Sequence, residues 1–327
     1  MNKIIEIKKP IDTLYIYWTL TDFCNFKCNY CPSTLHGGLY ANGTKPGFPS
    51  DDQINIFLVN LISKHLRGRK LYMIISGGEP TVHPMFSTII EKLAPYGFIG
   101  VNTNGARHYE WWSKLTVLPQ LVTISLHPEF TKIEKINELS HYLLQQNVEV
   151  NFNLSCDTKH WDQTVNLYNL LDDDLKPMAQ PKVLNYLGTS DRDRYEYNQD
   201  QEAFMNNVQA RYDVFRKGRG MLPSANDRAI MTFEDGTSRP VTNIAELTMS
   251  RLNHFYQWKC SAGNSGINVN YDGNVWAGIC KIQNLGRLEN FTLLDEYIDC
   301  TRKFCPCPGD LRLNKYNPLV KLQDLVE

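Results

Sequence analysis

The sequence predicts an α/β protein built on a parallel sheet with helices packed against it, followed by a small second unit. Three observations carry this reading. Six short runs are almost continuously apolar, as strands of a parallel sheet covered on both faces tend to be. Stretches long enough for helices separate them, which gives repeated βα units with right-handed crossovers. Near the C-terminus this rhythm stops, and residues alternate around an Asp-Gly pair, the signature of a hairpin.

The elements follow in order. Strands are predicted over 14–20, 71–75, 98–101, 121–126, 148–154 and 183–187. Between the first two, Ser50 as N-cap and Gln53 three residues on form a capping box that opens a helix carrying Phe57, Leu58, Leu61 and Ile62. Ile133, Ile136, Leu139 and Leu143 recur at helical spacing on a later connector. Residues 190–258 break the pattern; Asp191, Arg192, Asp193 and Arg194 read as a solvated charged face on a connecting region. From 267 to 278 the residues alternate about Asp272 and Gly273, giving the predicted hairpin of the second unit.

Composition narrows the function. The 327 residues fit about two domains, and 42% hydrophobic against 21% charged residues argues for a folded globular chain. Lys and Arg number 34 against 35 Asp and Glu. That balance argues against a partner held by its phosphates, so nucleic acid is not expected. No run of eighteen apolar residues is present, and residues 1–10 are charged without the apolar core of a signal peptide, so no membrane partner and a cytoplasmic location are expected. Thiols stay reduced there, so nine cysteines point to metal rather than disulfides.

Cys24, Cys28 and Cys31 form C-x3-C-x2-C directly after the first predicted strand. Three thiolates so close in sequence can wrap one face of an iron–sulfur cluster and leave one iron open. A structural zinc site is the alternative, closed by a fourth ligand such as His36. After the second strand stands Gly77-Gly78-Glu79-Pro80. Its glycines allow close backbone approach, and its carboxylate can accept a hydrogen bond from an ammonium group.

These motifs together resemble the radical S-adenosylmethionine (radical SAM) enzymes. The likeness adds Thr103-Asn104-Gly105 after the third strand, Ser125 and His127 after the fourth, and Asn151 and Asn153 on the fifth. It implies a partial (β/α)6 TIM-like barrel over 12–190, with chemistry at the C-terminal ends of the strands. It also implies that Cys24, Cys28 and Cys31 bind a [4Fe–4S] cluster whose open iron chelates S-adenosylmethionine. An electron then yields a 5′-deoxyadenosyl radical that takes hydrogen from substrate. By the same likeness Tyr30 contacts adenine, Gly77, Gly78 and Glu79 receive the methionine amine, and Ser125 and Asn153 reach the ribose or carboxylate. Asn104 is either a cofactor contact or a turn residue. His127 is either a contact for cofactor or substrate or a loop histidine. His83 and Cys156 read as structural. A flavodoxin or ferredoxin is the expected electron donor.

Cys260, Cys280, Cys300, Cys305 and Cys307 surround the predicted hairpin. Zinc is again an alternative. The arrangement looks like a twitch-type domain, a shortened relative of SPASM, which implies an auxiliary [4Fe–4S] cluster over 250–327, with 191–249 as connector. Cys260, Cys280, Cys305 and Cys307 are the expected ligands, and Cys300 is the fifth candidate or a hydrogen donor to a substrate radical. An auxiliary cluster can accept an electron from a substrate radical or shape the substrate pocket.

Near-neutral charge and a single auxiliary cluster favour a small polar substrate such as a sugar or nucleotide-sugar. The second reading is a maturase that epimerises or cross-links a peptide. Such enzymes often carry a docking module before the barrel, which the ten or so leading residues here do not supply. A non-catalytic iron–sulfur electron carrier is the third; it has no use for residues 77–80.

Overall fold

The computed structural model describes residues 3–9, 12–31, 49–184, 195–218, 229–241, 247, 252–305 and 308–320. In chain order its first elements are β1 (Ile4–Lys8), β2 (Thr13–Thr21), α1 (Asp51–Asn60), β3 (Lys70–Gly77), α2 (Phe86–Leu93) and β4 (Gly97–Thr103). There follow α3 (Tyr109–Trp112), β5 (Leu121–Leu126), α4 (Ile133–Gln145), β6 (Glu149–Cys156), α5 (Trp161–Leu170), β7 (Ala179–Val183) and α6 (Gln199–Gly218). The last are β8 (Ile230–Phe233), β9 (Ser238–Pro240), β10 (Lys259–Cys260), β11 (Gly266–Val269), β12 (Asn274–Ala277), β13 (Asn284–Arg287), β14 (Ile298–Asp299), α7 (Pro308–Leu311) and β15 (Lys315–Tyr316).

The chain divides into two compact units. One comprises Met1–Trp18, Gly47–Met73 and Leu222–Glu327; the other comprises Thr19–Pro46 and Ile74–Met221. This partition is discontinuous in sequence, unlike the contiguous segments 12–190, 191–249 and 250–327.

In the second unit β4, β5, β6 and β7 pair in sequence order, all parallel. Val122, Ile124 and Leu126 on β5 are fully buried, as are Val150, Phe152, Leu154 and Cys156 on β6. These positions make one apolar face, and the buried stripe Ile133, Ile136, Leu139 and Leu143 of α4 supplies apolar cover. The alternate positions are polar. Thr123 lies beside Asn151, and Ser125 beside Asn153, in register across the β5–β6 pair. The expectation of strands apolar on both faces is therefore corrected for β5 and β6: one face packs on helices and the other carries amides and hydroxyls. The result is an α/β fold with a partial-barrel-like sheet core. β7 begins four residues before the predicted 183–187, of which 185–187 lie outside the described residues. Gln180, Pro181 and Lys182 hid it, and Pro is tolerated because this strand ends the sheet order.

In the first unit a six-stranded sheet runs in the order β14-β10-β15-β1-β8-β9. Its strand β1 comes from the N-terminal segment that reads as a charged lead. Ile5, Glu6, Ile7 and Lys8 alternate, so Ile5 and Ile7 are buried while Lys8 is exposed. β11 and β12 form an antiparallel pair with Ile267 opposite Ala277 and Val269 opposite Val275. Gly273 turns the chain between them at φ +83°, which its missing Cβ permits. The capping box forms as read: Gln53 N–H donates to Ser50 Oγ at 3.2 Å, and Ser50 N–H to Gln53 Oε1 at 2.8 Å.

Candidate functional site

The loop from Phe23 to Cys31 leaves β2 and is held by the end of β3. Gly78 N–H donates to Thr21 O at 2.8 Å, and Glu79 N–H to Phe23 O at 2.7 Å. A Cβ on Gly77 would overlap the Thr21 carbonyl oxygen, and one on Gly78 the Phe23 carbonyl oxygen. Gly77 also sits at φ +141°. The two glycines thus serve a close backbone approach that starts the cysteine loop.

Glu79 is fully buried. Its Oε1 accepts from Thr81 N–H (3.0 Å), Thr81 Oγ1 (2.6 Å) and Thr103 Oγ1 (2.8 Å), and its Oε2 from Asn104 N–H at 2.6 Å. Burial pushes its carboxyl up, and these donors oppose that shift. The structure differs here from an open acceptor for an ammonium group: the carboxylate is the hub that fixes the loop after β4. Asn104 carries the connection onward. Its side-chain amide donates to Asn25 Oδ1 at 2.8 Å and toward Cys24 Sγ at 3.7 Å, while its Oδ1 accepts from Ala106 N–H. It is more than a turn residue.

Around Cys28 the loop is walled by aromatic rings. Phe26 stacks on Phe130 with centroids 5.1 Å apart, and the His127 ring stacks on Tyr30. His127 Nδ1 lies 2.6 Å from the Tyr30 hydroxyl and 3.3 Å from Cys28 Sγ. The hydroxyl of Tyr30 also meets that of Ser155. Tyr30, expected at adenine, is thus tied through its hydroxyl to His127 and Ser155. Leu184 and Tyr195 complete the wall. Burial raises the thiols of Cys24 and Cys31, and it pushes Cys28 up to about 12, helped by the charges of Cys31 and Cys24. Burial also drops His127 to about 4, so its imidazole is neutral at neutral pH.

On the polar face of the sheet, Asn153 Oδ1 accepts from Gln180 Nε2 at 2.9 Å. Asn151 is buried with its Oδ1 unpartnered. Ser125 is partly exposed beside Asn153. Composition and motif reading missed Asn25, Phe26, Phe130 and Ser155. The aromatic placement two residues before Cys28 and three after His127 was the available signal.

The three thiols fit an iron–sulfur cluster. They come from one loop, Cys28 is buried among aromatic rings, and Cys24 Sγ already receives N–H donors from Phe26 at 3.4 Å and from Asn104. Thiols that burial keeps protonated become ligands when a multivalent cationic centre offsets their charge. His36 lies outside the described residues.

In the first unit, Cys260, Cys300 and Cys305 are buried and Cys280 is partly exposed. The charges of Cys260 and Cys305 both raise the Cys280 thiol, after burial and the charge of Asp310, and that of Cys300 raises Cys260. Cys280 thus lies within electrostatic reach of Cys260 and Cys305, and Cys260 within that of Cys300. Asp310 holds the turn at Cys280: its carboxylate accepts from Ile279 N–H and Cys280 N–H, each at 2.8 Å. Asn253 holds Cys305 through the bond from Cys305 N–H to Asn253 O and the return from its side-chain amide to Cys305 O. Cys307 and residues 191–194 lie outside the described residues.

Residues 18–150 match the radical SAM superfamily. Residues 18–150 thus resemble a radical SAM superfamily domain, and the C-x3-C-x2-C motif within it supports enzymatic activity of this class. Among curated proteins it is similar to GTP 3′,8-cyclase of Pasteurella multocida, 33% identical over 99 residues, 28% of this chain and 26% of that protein. The same enzyme of Haemophilus influenzae (strain 86-028NP) is 29% identical over 149 residues, 42% of each chain. The chain thus spans well under half the length of these relatives, within the shared domain. Among solved structures, native anSMEcpe with bound AdoMet has a TM-score of 0.52 at 15% identity, covering 86% of this chain and 79% of that one. The same protein with bound AdoMet and Cp18Cys peptide gives 0.51 at 15% identity, over 86% and 78%. Streptococcus suis SuiB bound to S-adenosylmethionine gives 0.51 at 12% identity, over 85% and 64%.

The expected small-molecule substrate is corrected by this comparison, because a structure of similar fold holds a peptide beside AdoMet. Near-neutral net charge, on which that expectation leaned, does not distinguish a peptide from a sugar. No helix of the described residues is long and apolar enough to cross a membrane.

Proposed function

We propose that this chain is a peptide-modifying radical SAM enzyme, an epimerase or cross-linking maturase, with a partial (β/α)6 barrel and a twitch-type auxiliary domain. The observation that carries the reading is the likeness over 86% of the chain to a structure holding both AdoMet and a peptide. Cys24, Cys28 and Cys31 would hold a [4Fe–4S] cluster. Bound there, the cluster supplies the electron that splits AdoMet into methionine and a 5′-deoxyadenosyl radical. The chain's own residues orient and exclude. Glu79 and Asn104 fix the loop that carries Cys24. Phe26, Phe130 and Tyr30 keep water from Cys28. Ser125, Asn151 and Asn153 offer hydroxyl and amide groups for the ribose or carboxylate, and neutral His127 is a hydrogen-bonding contact for cofactor or substrate.

A second [4Fe–4S] cluster at Cys260, Cys280 and Cys305, with Cys307 or Cys300 as the fourth ligand, is the auxiliary centre of this reading. The charge of Cys300 acts on Cys260, which supports Cys300 as a ligand candidate beside Cys307. A flavodoxin or ferredoxin is the electron donor, and a reducing, cytoplasmic setting suits so many thiols. The test is anaerobic incubation of the cluster-loaded protein with AdoMet, dithionite and peptides encoded beside its gene. The reading expects 5′-deoxyadenosine together with a peptide that has lost two hydrogens or exchanged one with deuterated water. Cofactor cleavage with every such peptide unchanged contradicts the peptide substrate.

A further inference from the structure

Lys315 lies in the interior of the first unit with 2% of its surface exposed. In the antiparallel pairing of β10 and β15 it stands directly opposite Cys260. Residues opposite one another in such a pair project to the same side of the sheet. Its ammonium donates to the carbonyl oxygens of Asp310 at 2.6 Å and Leu313 at 3.0 Å, and lies 5.1 Å from the centroid of the Phe255 ring. These acceptors are neutral dipoles. The nearby carboxylate of Asp310 accepts from the main chain of Ile279 and Cys280, and its charge offsets part of that of the ammonium. A buried full charge held by carbonyls and a ring face is costly unless an anion compensates it.

Cluster-bound thiolates of the auxiliary reading would supply a further anion. Cys260, a ligand of that centre in this reading, stands across the strand pair from the buried ammonium, so the cation belongs to the same side of the sheet as that ligand. Four thiolates around a [4Fe–4S] centre carry net negative charge, and each electron taken up adds one more unit. A fixed buried cation favours the reduced state and raises the reduction potential.

We propose that Lys315 is the counter-charge of the auxiliary centre, holding its reduction potential high enough for it to take up an electron. This rests on the auxiliary-cluster reading and deepens it, assigning that centre to electron acceptance. Lys315 acts through the cluster and touches no substrate.

The experiment uses the full chain with Cys24, Cys28 and Cys31 replaced by Ala, so that one cluster remains. Iron is counted, and the cluster is titrated with a mediated reductant while its reduced signal is followed by electron paramagnetic resonance. In this background Lys315→Gln keeps a donor for the carbonyls without the charge, Lys315→Met removes both, and Lys315→Arg keeps the charge. We expect about four irons per chain in each. Both neutral variants should shift the one-electron equilibrium at least tenfold toward the oxidised state, a drop of about 59 mV, while Lys315→Arg stays near the parent. Loaded neutral variants within twofold of the parent overturn the counter-charge role and leave the auxiliary cluster standing. Neutral variants that do not load while Lys315→Gln still folds also overturn it, in favour of a role in assembly, as does loss of folding in both. Absence of iron in the parent overturns the auxiliary cluster itself, and this inference with it.

Discussion

Gly78 lies against the backbone of Phe23 so closely that its N–H reaches Thr21 O at 2.8 Å and any side chain at this position would overlap the Phe23 carbonyl. The start of the cysteine loop is therefore set by the end of β3. Gly78→Ala should cost about 2–4 kcal/mol, since the neighbour is backbone and cannot yield as a flexible side chain does. Thermal denaturation and iron counting check this: the variant should melt lower and hold fewer irons. An unchanged melting temperature contradicts the packing.

Glu79→Gln should destabilise the metal-free protein by about 2–3 kcal/mol. Oε1 of Glu79 accepts three donors and Oε2 one, from Thr81, Thr103 and Asn104. An amide turns one oxygen into a donor facing another donor. Chemical denaturation measures the loss. Glu79→Asp, which keeps the charge but shortens the reach, should lose part of the same stability.

Much of this site was legible in the chain. The capping box at Ser50, the strand over 121–126 and the helical stripe of Ile133 to Leu143 follow from local pattern alone, and each depends on neighbours within a few residues. The three cysteines and the two glycines announce themselves by type and spacing. What pattern did not reveal is long-range. That Asn104 reaches Cys24 across 80 positions, or that Lys315 pairs with Cys260, depends on which strand ends meet. β1 was hidden for another reason: its charged residues fall on alternate positions, so counting charge concealed a period of two.

His127 predicts a pH dependence for the metal-free protein. Its folded value is about 4, below the ordinary histidine value near 6.5. Between these values the unfolded chain binds a proton that the folded one does not. Stability should fall as pH drops from about 6.5 to 4 and level off below, a loss of about 3 kcal/mol from this residue. Replacing it in His127→Asn should flatten that part of the profile. Equal slopes in the two proteins contradict the burial of a neutral imidazole.

Lys9 gives the complementary case. Burial, with the charges of Arg312 and Lys315, lowers its ammonium from 10.5 to about 6, and its Nζ sits 3.7 Å from the Tyr15 ring centroid. At pH 7 folding therefore strips its proton, a cost that diminishes as pH rises toward 10.5, so this residue makes stability increase with pH across that window. Lys9→Met should be more stable than the parent at pH 7 by roughly 3–5 kcal/mol, with the gain shrinking by about pH 10. Melting curves at the two pH values decide it.

Radical chemistry in this protein requires that the loop of Cys24, Cys28 and Cys31 present an iron that AdoMet can grip. The direct measurement is electron paramagnetic resonance of the anaerobically reduced, iron-loaded protein, with and without AdoMet, read beside a variant lacking Cys260, Cys280, Cys300 and Cys305. The account predicts a changed cluster signal on addition of AdoMet in both proteins and its loss in Cys24→Ala. A signal that AdoMet leaves untouched in both contradicts it.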